Sequence, residues 1–120
     1  SKYDGYLVHY KTDDPKFIIK ALQGMILFKN NFSECLKIKK TIVSDLDQTF
    51  NDMKKNSWQS KHAADKSGKS ISNNTEFSLK FGHIRIICND WSDNMEYVDK
   101  LAVSIVTKEF DYWINNEAYD

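Results

Sequence analysis

Four segments of the chain alternate apolar and polar residues, and this period of two predicts β-strands. They are residues 5–12, 76–81, 83–89 and 100–106. The first has an aromatic-rich face formed by Tyr6, Val8 and Tyr10. The last carries apolar residues on both faces, which is typical of a central strand that is covered on both sides.

Three other segments repeat apolar residues every three or four positions, which predicts amphipathic helices. They are residues 15–28, 34–55 and 108–117. Asp14 followed by Pro15 favours a helix start, and Ser33 and Thr107 are suitable caps for the other two helices. A single helical turn is predicted at residues 93–96.

Residues 56–75 are rich in Ser, Lys and Asn and are predicted to form a long polar loop. The resulting order is β-α-α-loop-β-β-β-α. We therefore expect one α+β domain over residues 1–120, with a mainly antiparallel sheet of about four strands and helices packed on it.

Charge is unevenly distributed along the chain, although its formal net value is zero. Residues 1–88 carry fifteen Lys and Arg against nine Asp and Glu, whereas residues 89–120 carry two against eight. This pattern predicts an acidic face and a basic face if the C-terminal third clusters in space. The alternative is that the two regions interdigitate and neutralise each other.

Cys35 and Cys88 are the two cysteines of the chain. Their number and spacing favour buried thiols, with a single disulfide as the alternative. The absence of a long apolar run and the lysine-rich, arginine-poor composition favour a bacterial cytoplasmic protein with no membrane contact. No cofactor is predicted.

Residues 63–70 match the loose form of a phosphate-binding loop, with Ala in place of the first Gly. That mechanism requires a buried strand before the loop and a helix after it. A polar segment precedes this stretch and a predicted strand follows it, so we expect a flexible loop of lysines and serines.

Catalytic and metal sites have little support in the sequence. His9, His83 and Arg85 could form a ribonuclease-like set of acid, base and phosphate-binding cation if they met across the sheet. The acids of residues 90–99 match a calcium loop in density only, because the required Gly and Glu are out of register. A small hydrolase or nuclease is therefore a third hypothesis.

The first hypothesis is a small protein-binding module, because acids and aromatic residues are concentrated in the C-terminal third. Its concrete form is a bacterial immunity or inhibitor protein that occludes the active site of a toxin with a basic surface, such as a nuclease. The predicted contact residues are Asp90, Trp91, Asp93, Glu96, Asp99, Asp111 and Tyr112.

The second hypothesis is a nucleic-acid-binding accessory protein that uses the lysine-rich loop. Its predicted contacts are Lys54, Lys55, Lys61, Lys66 and Lys69. Against it, the chain has a single arginine, the side chain best suited to phosphate and guanine.

Overall fold

A computed structural model of the chain describes residues 3–13, 16, 18–29 and 31–117. These residues form a six-stranded antiparallel sheet with two α-helices and one short 3₁₀-helix. The elements are β1 (Gly5–Tyr10), β2 (Ile19–Phe28), α1 (Phe32–Thr49), β3 (Lys55–Lys61), β4 (Ile71–Ser78), β5 (Gly82–Asp90), the 3₁₀-helix (Asp93–Met95), β6 (Asp99–Thr107) and α2 (Lys108–Asn116).

The strands lie in the order β1-β2-β6-β5-β4-β3. Strands β3 to β6 form a meander of successive hairpins, and β6 closes the sheet by pairing with β2. Helix α1 therefore connects β2 to the far edge of the sheet. The prediction of about four strands is wrong, because the observed order is β-β-α-β-β-β-β-α.

The first error is the helix predicted at residues 15–28, most of which is strand β2. Strand β2 pairs with β1 on one side and with β6 on the other, so both backbone edges of the segment are hydrogen-bonded. These long-range ladders outweigh a helical spacing of apolar residues, which is a weak local preference. Asp14 and Pro15, on which the predicted helix start rests, lie outside the described residues, as does Phe17.

The second error is the long loop predicted at residues 56–75, which is instead the hairpin of β3 and β4. Polar side chains of β4 are buried and hydrogen-bonded, so the strand lacks an apolar alternation. The Asn74 side-chain amide donates to the Trp58 carbonyl at 3.2 Å, and the Ser72 hydroxyl donates to Asn89 Oδ1 at 2.7 Å. Satisfied polar groups of this kind can occupy buried sheet positions.

Helix α1 begins and ends earlier than the predicted span of 34–55. Asn31, rather than Ser33, is its N-cap, and the Asn31 side chain accepts a hydrogen bond from Glu34 N at 3.3 Å. The last helix lies where the sequence predicts it, and its predicted cap is confirmed because Thr107 Oγ1 accepts from Phe110 N at 3.2 Å.

The core lies between α1 and one face of the sheet, called the α1 face below. Its buried apolar residues are Phe28, Cys35, Phe77, Ile84, Ile86, Cys88 and Leu101. A disulfide joins Cys35 of α1 to Cys88 of β5, so of the two alternatives for the cysteines the structure has the bridge. Helix α2 packs on the opposite face, called the α2 face below.

Candidate functional site: an acidic loop

Five of the seven predicted partner-binding residues lie together in the connection between β5 and β6. This segment, residues 90–99, is called the acidic loop below, and its five members are Asp90, Trp91, Asp93, Glu96 and Asp99. The other two, Asp111 and Tyr112, lie on α2. Helix α2 follows the opposite end of β6, roughly 26 Å from the acidic loop at about 3.3 Å per strand residue.

Trp91 is the centre of the acidic loop. Its ring makes tilted contacts with the rings of His62 and Tyr97, at centroid distances of 4.2 Å and 4.8 Å. The Trp91 backbone N–H donates to Asp99 Oδ1 at 2.8 Å, which fixes the start of the loop to its end. Tyr97 is 60% exposed and Val98 is 43% exposed, so the loop presents apolar surface beside its carboxylates.

Asp65, in the turn between β3 and β4, anchors the acidic loop by a hydrogen bond to its side chain. The side chain is 4% exposed and accepts from Ser70 Oγ at 2.6 Å, Ser67 Oγ at 2.7 Å and Ser92 Oγ at 2.8 Å. These three hydroxyl donors hold the pKa of Asp65 well below its ordinary range. Since Ser92 belongs to the acidic loop, one buried carboxylate joins two hairpin connections.

Two clefts flank Trp91, with volumes of about 560 Å³ and about 500 Å³. Asp90 and Asp93 line both clefts, and each cleft also has one lysine in its wall, Lys69 in the first and Lys29 in the second. Partial burial, followed by the negative charges of Asp99 and Asp93, raises the pKa of Asp90. The acids of the loop therefore repel one another, which a cation in either cleft would relieve.

Glu96 is the one non-glycine residue with a positive φ among the described residues, at 56°. It ends the 3₁₀-helix in the left-handed region, where a side chain costs roughly 1–2 kcal/mol relative to ordinary backbone. This strained position directs the chain from Met95 into Tyr97.

Asp111 is engaged by the sheet rather than free for a partner. Its Oδ1 accepts from Arg85 Nη2 at 3.3 Å, and Arg85 Nε also donates to Glu76 Oε2 at 2.9 Å. His83 is 9% exposed and lies between the two acids, 3.8 Å from Glu76 and 3.7 Å from Asp111. This charged cluster holds α2 against the α2 face.

The predicted lysine patch divides between the two ends of β3. Lys54 and Lys55 lie at its start, whereas Lys61, Lys66 and Lys69 lie at its end and in the following turn. Lys55 Nζ pairs with Asp47 at 2.8 Å, and Lys69 shares a cleft with Asp90 and Asp93. The predicted nucleic-acid contacts thus do not form one continuous surface.

Opposite charges interdigitate at several places, as the alternative interpretation of the charge pattern expects. Glu109 Oε1 pairs with Lys11 at 2.8 Å and its Oε2 pairs with Lys20 at 2.9 Å. These contacts lower the pKa of Glu109 to about 2. The acidic loop itself holds four carboxylates, those of Asp90, Asp93, Glu96 and Asp99, against two lysines in the walls of its clefts.

The histidine set considered for catalysis does not meet. His9 and His83 lie in one row on the α2 face, but Ala21 of β2 and Val106 of β6 separate them. Three strand spacings place their backbones roughly 14 Å apart. His9 packs against Phe110 at a centroid distance of 4.7 Å, so the structure gives no acid–base pair there.

Residues 63–70 form the turn between two antiparallel strands, and strand β4 follows them instead of a helix. The Asp65 side chain occupies the concave side of this turn by accepting from the backbone amides of Ser67 and Ser70. A phosphate-binding loop leaves such amides free for an anion. Within the described part of the chain, no three His, Cys, Asp or Glu side chains converge as a metal site.

Sequence reasoning missed Asp65, His62 and Tyr97 as parts of this site. A local signal exists for Asp65, because Asp followed two residues later by Ser favours an Asx turn in which the carboxylate accepts backbone N–H groups. No local signal places His62 beside Trp91, since 29 positions separate them and only the pairing of β3, β4 and β5 brings them together.

No helix among the described residues is long and apolar enough to cross a bilayer. Comparisons with protein-family models, with curated proteins and with solved structures find no match to this chain.

Proposed function

We propose that this chain is a small protein-binding module whose acidic loop engages a partner with a basic surface. In its concrete form it is an immunity or inhibitor protein that covers the cationic active site of a toxin, such as a nuclease. The observation that carries the proposal is Trp91, whose ring packs against the rings of both His62 and Tyr97 and which lines both carboxylate-lined clefts.

Aromatic anchors beside charged groups are the residues that dominate binding energy at protein interfaces. Tyr97 and Val98 supply exposed apolar area. Asp93 and Glu96 are exposed, and their charge would steer a cationic partner towards the loop. The combination favours a protein partner over a small molecule, since both clefts are open to solvent and each is lined by the carboxylates of Asp90 and Asp93.

Hydrogen bonds within the chain anchor the acidic loop without a partner. Asp65 bonds to Ser92, and Asp99 bonds to the Trp91 backbone. Preorganisation of this kind raises affinity because less conformational entropy is lost on binding.

The disulfide between Cys35 and Cys88 bears on the compartment. Structural disulfides persist in oxidising compartments and are rare in the cytoplasm. The bridge therefore supports a site of action outside the reducing cytoplasm, in place of the cytoplasmic location that the composition favours.

Binding of a decalysine peptide tests the acidic loop. In a W58F/W113F background, Trp91 is the sole tryptophan, and its fluorescence reports binding at low ionic strength. We expect the variant D93N/E96Q to weaken binding roughly 2- to 30-fold, because it removes two exposed charges and each exposed ion pair contributes about 0.2–1 kcal/mol. The matched control is D45N/D52N, which removes the same charge from exposed positions on and after α1.

Equal weakening by both variants would show that net charge, and not the acidic loop, determines binding, and would overturn the assignment. A single-stranded 20-mer of DNA tests the second hypothesis in the same assay. Salt-sensitive binding of the DNA that is lost in K61A/K66A/K69A would favour the nucleic-acid function instead.

A further inference from the structure

Lys39 differs from the other lysines that the structure describes, because it is the one that is buried. It is 6% exposed, on the side of α1 that packs against the sheet. Its Nζ donates to the side-chain oxygen of Asn73 on β4.

A cleft of about 180 Å³ opens onto Lys39 from the solvent. Leu36 and Val43 form its apolar wall, Asn73 and Thr75 form its polar wall, and the exposed Lys40 contributes a second cation. At roughly 30 Å³ for each water, the volume admits a molecule of a few heavy atoms.

The Lys39 amine is desolvated and has no carboxylate partner among the described residues. Burial lowers its pKa to about 8. The neutral amine is therefore more populated at neutral pH than it is for an ordinary lysine. A neutral amine is the nucleophilic form, and desolvation of lysine is a known route to it.

We propose that Lys39 is a reactive-amine site that forms an imine with a small α-oxo acid. The cleft holds both groups that such a ligand requires. The ammonium of Lys40 would pair with the ligand's carboxylate, and the Asn73 side-chain oxygen would accept a hydrogen bond from the N–H of the protonated imine. Leu36 and Val43 leave room for a short alkyl chain.

The reaction consumes no oxidant or reductant. The neutral Lys39 Nζ attacks the carbonyl carbon, the C–O π bond breaks as the C–N bond forms, and one proton of the nitrogen passes to the oxygen. The resulting carbinolamine takes up a proton from solvent and loses its hydroxyl as water, which leaves an iminium, and loss of the last N–H proton to solvent gives the neutral imine. One amine and one carbonyl compound thus give one imine and one molecule of water. This site is separate from the acidic loop and does not depend on its function.

Reductive trapping of the native chain tests the proposal without any substitution. Glyoxylate and cyanoborohydride at pH 7.5 convert an imine to a stable carboxymethyl-lysine, and peptide mapping by mass spectrometry identifies the residue. Lys39 is expected to react about tenfold faster than Lys37, an exposed lysine on the same helix that serves as the internal control. If modification instead followed exposure, with Lys37 and Lys40 labelled before Lys39, the proposal would be overturned.

The variant K40M tests recognition of the anion. It is expected to slow trapping of glyoxylate at Lys39 about fivefold and to leave trapping of neutral glycolaldehyde unchanged. Equal rates for the two aldehydes in the native chain, unchanged by K40M, would overturn the assignment of an oxo acid as the ligand.

Discussion

Cys35 of α1 and Cys88 of β5 are joined by a disulfide that spans 53 positions of the chain. Their Cα atoms lie 6.1 Å apart, and both residues are fully buried. The bridge ties the helix to a central strand of the sheet at the middle of the core. Most of the chain between them forms α1, β3 and β4. The disulfide therefore closes a covalent loop that contains nearly half of the chain.

Removal of this disulfide is expected to lower the free energy of unfolding by about 4 kcal/mol, because the unfolded chain regains the entropy that closing a loop of this length removes. Urea denaturation of the native chain with and without dithiothreitol measures the effect. The variant C35A/C88A is the control, because reductant has no bond to break in it. An unchanged denaturation midpoint in reductant would contradict the bridge.

Asp65 is expected to make the protein sensitive to acid. Its pKa is lower in the folded chain than the ordinary 3.8, so its stabilising contribution is present above that value. The contribution is lost as the pH falls below 3.8 towards the folded-state pKa. Urea denaturation at pH 7 and pH 3 measures the change.

The variant D65N should be less stable than the native chain at pH 7, because a neutral amide has a single acceptor oxygen for the donors that surround it. The difference between the two proteins should shrink at pH 3. D45N, which changes an exposed aspartate on α1, is the matched control and should leave stability nearly unchanged at both pH values. A pH-independent difference for D65N would exclude the carboxylate's charge as the cause.

Gly82, the first residue of β5, has no space for a side chain. A Cβ at this position would lie 1.9 Å from the Val106 carbonyl oxygen and 2.9 Å from the Thr107 Cα. Because both neighbours are backbone atoms, G82A must displace β5 from β6, and we expect a loss of roughly 1–3 kcal/mol. Thermal or urea denaturation measures it.

G5A is the control for this substitution. A Cβ on Gly5 would lie 3.5 Å from the Met25 Cε, an ordinary contact with a flexible side chain. The close approach at Gly82 would be refuted if both variants had the stability of the native chain.

The sequence by itself determined those elements whose burial or capping depends on residues within the same element. Strand β6 has two apolar faces because it lies at the centre of the sheet, and α2 starts at Thr107 because a hydroxyl caps the helix locally. The acidic loop was also predictable, since its five predicted contact residues are close neighbours in the chain. Local hydrogen bonding and local burial carry all of this information.

Only the tertiary structure decided the rest. Strand β2 has a helical spacing of apolar residues but forms ladders with β1 and with β6, whose register joins Leu22 to Ile105. Strand β4 is polar, and its place in the sheet depends on partners that satisfy Ser72 and Asn74. Lys39 is buried where α1 packs on the sheet, and its amine donates to Asn73 of β4. In each case a contact distant in sequence supplies more free energy than the local preference, so a reading of neighbouring residues could not reveal it.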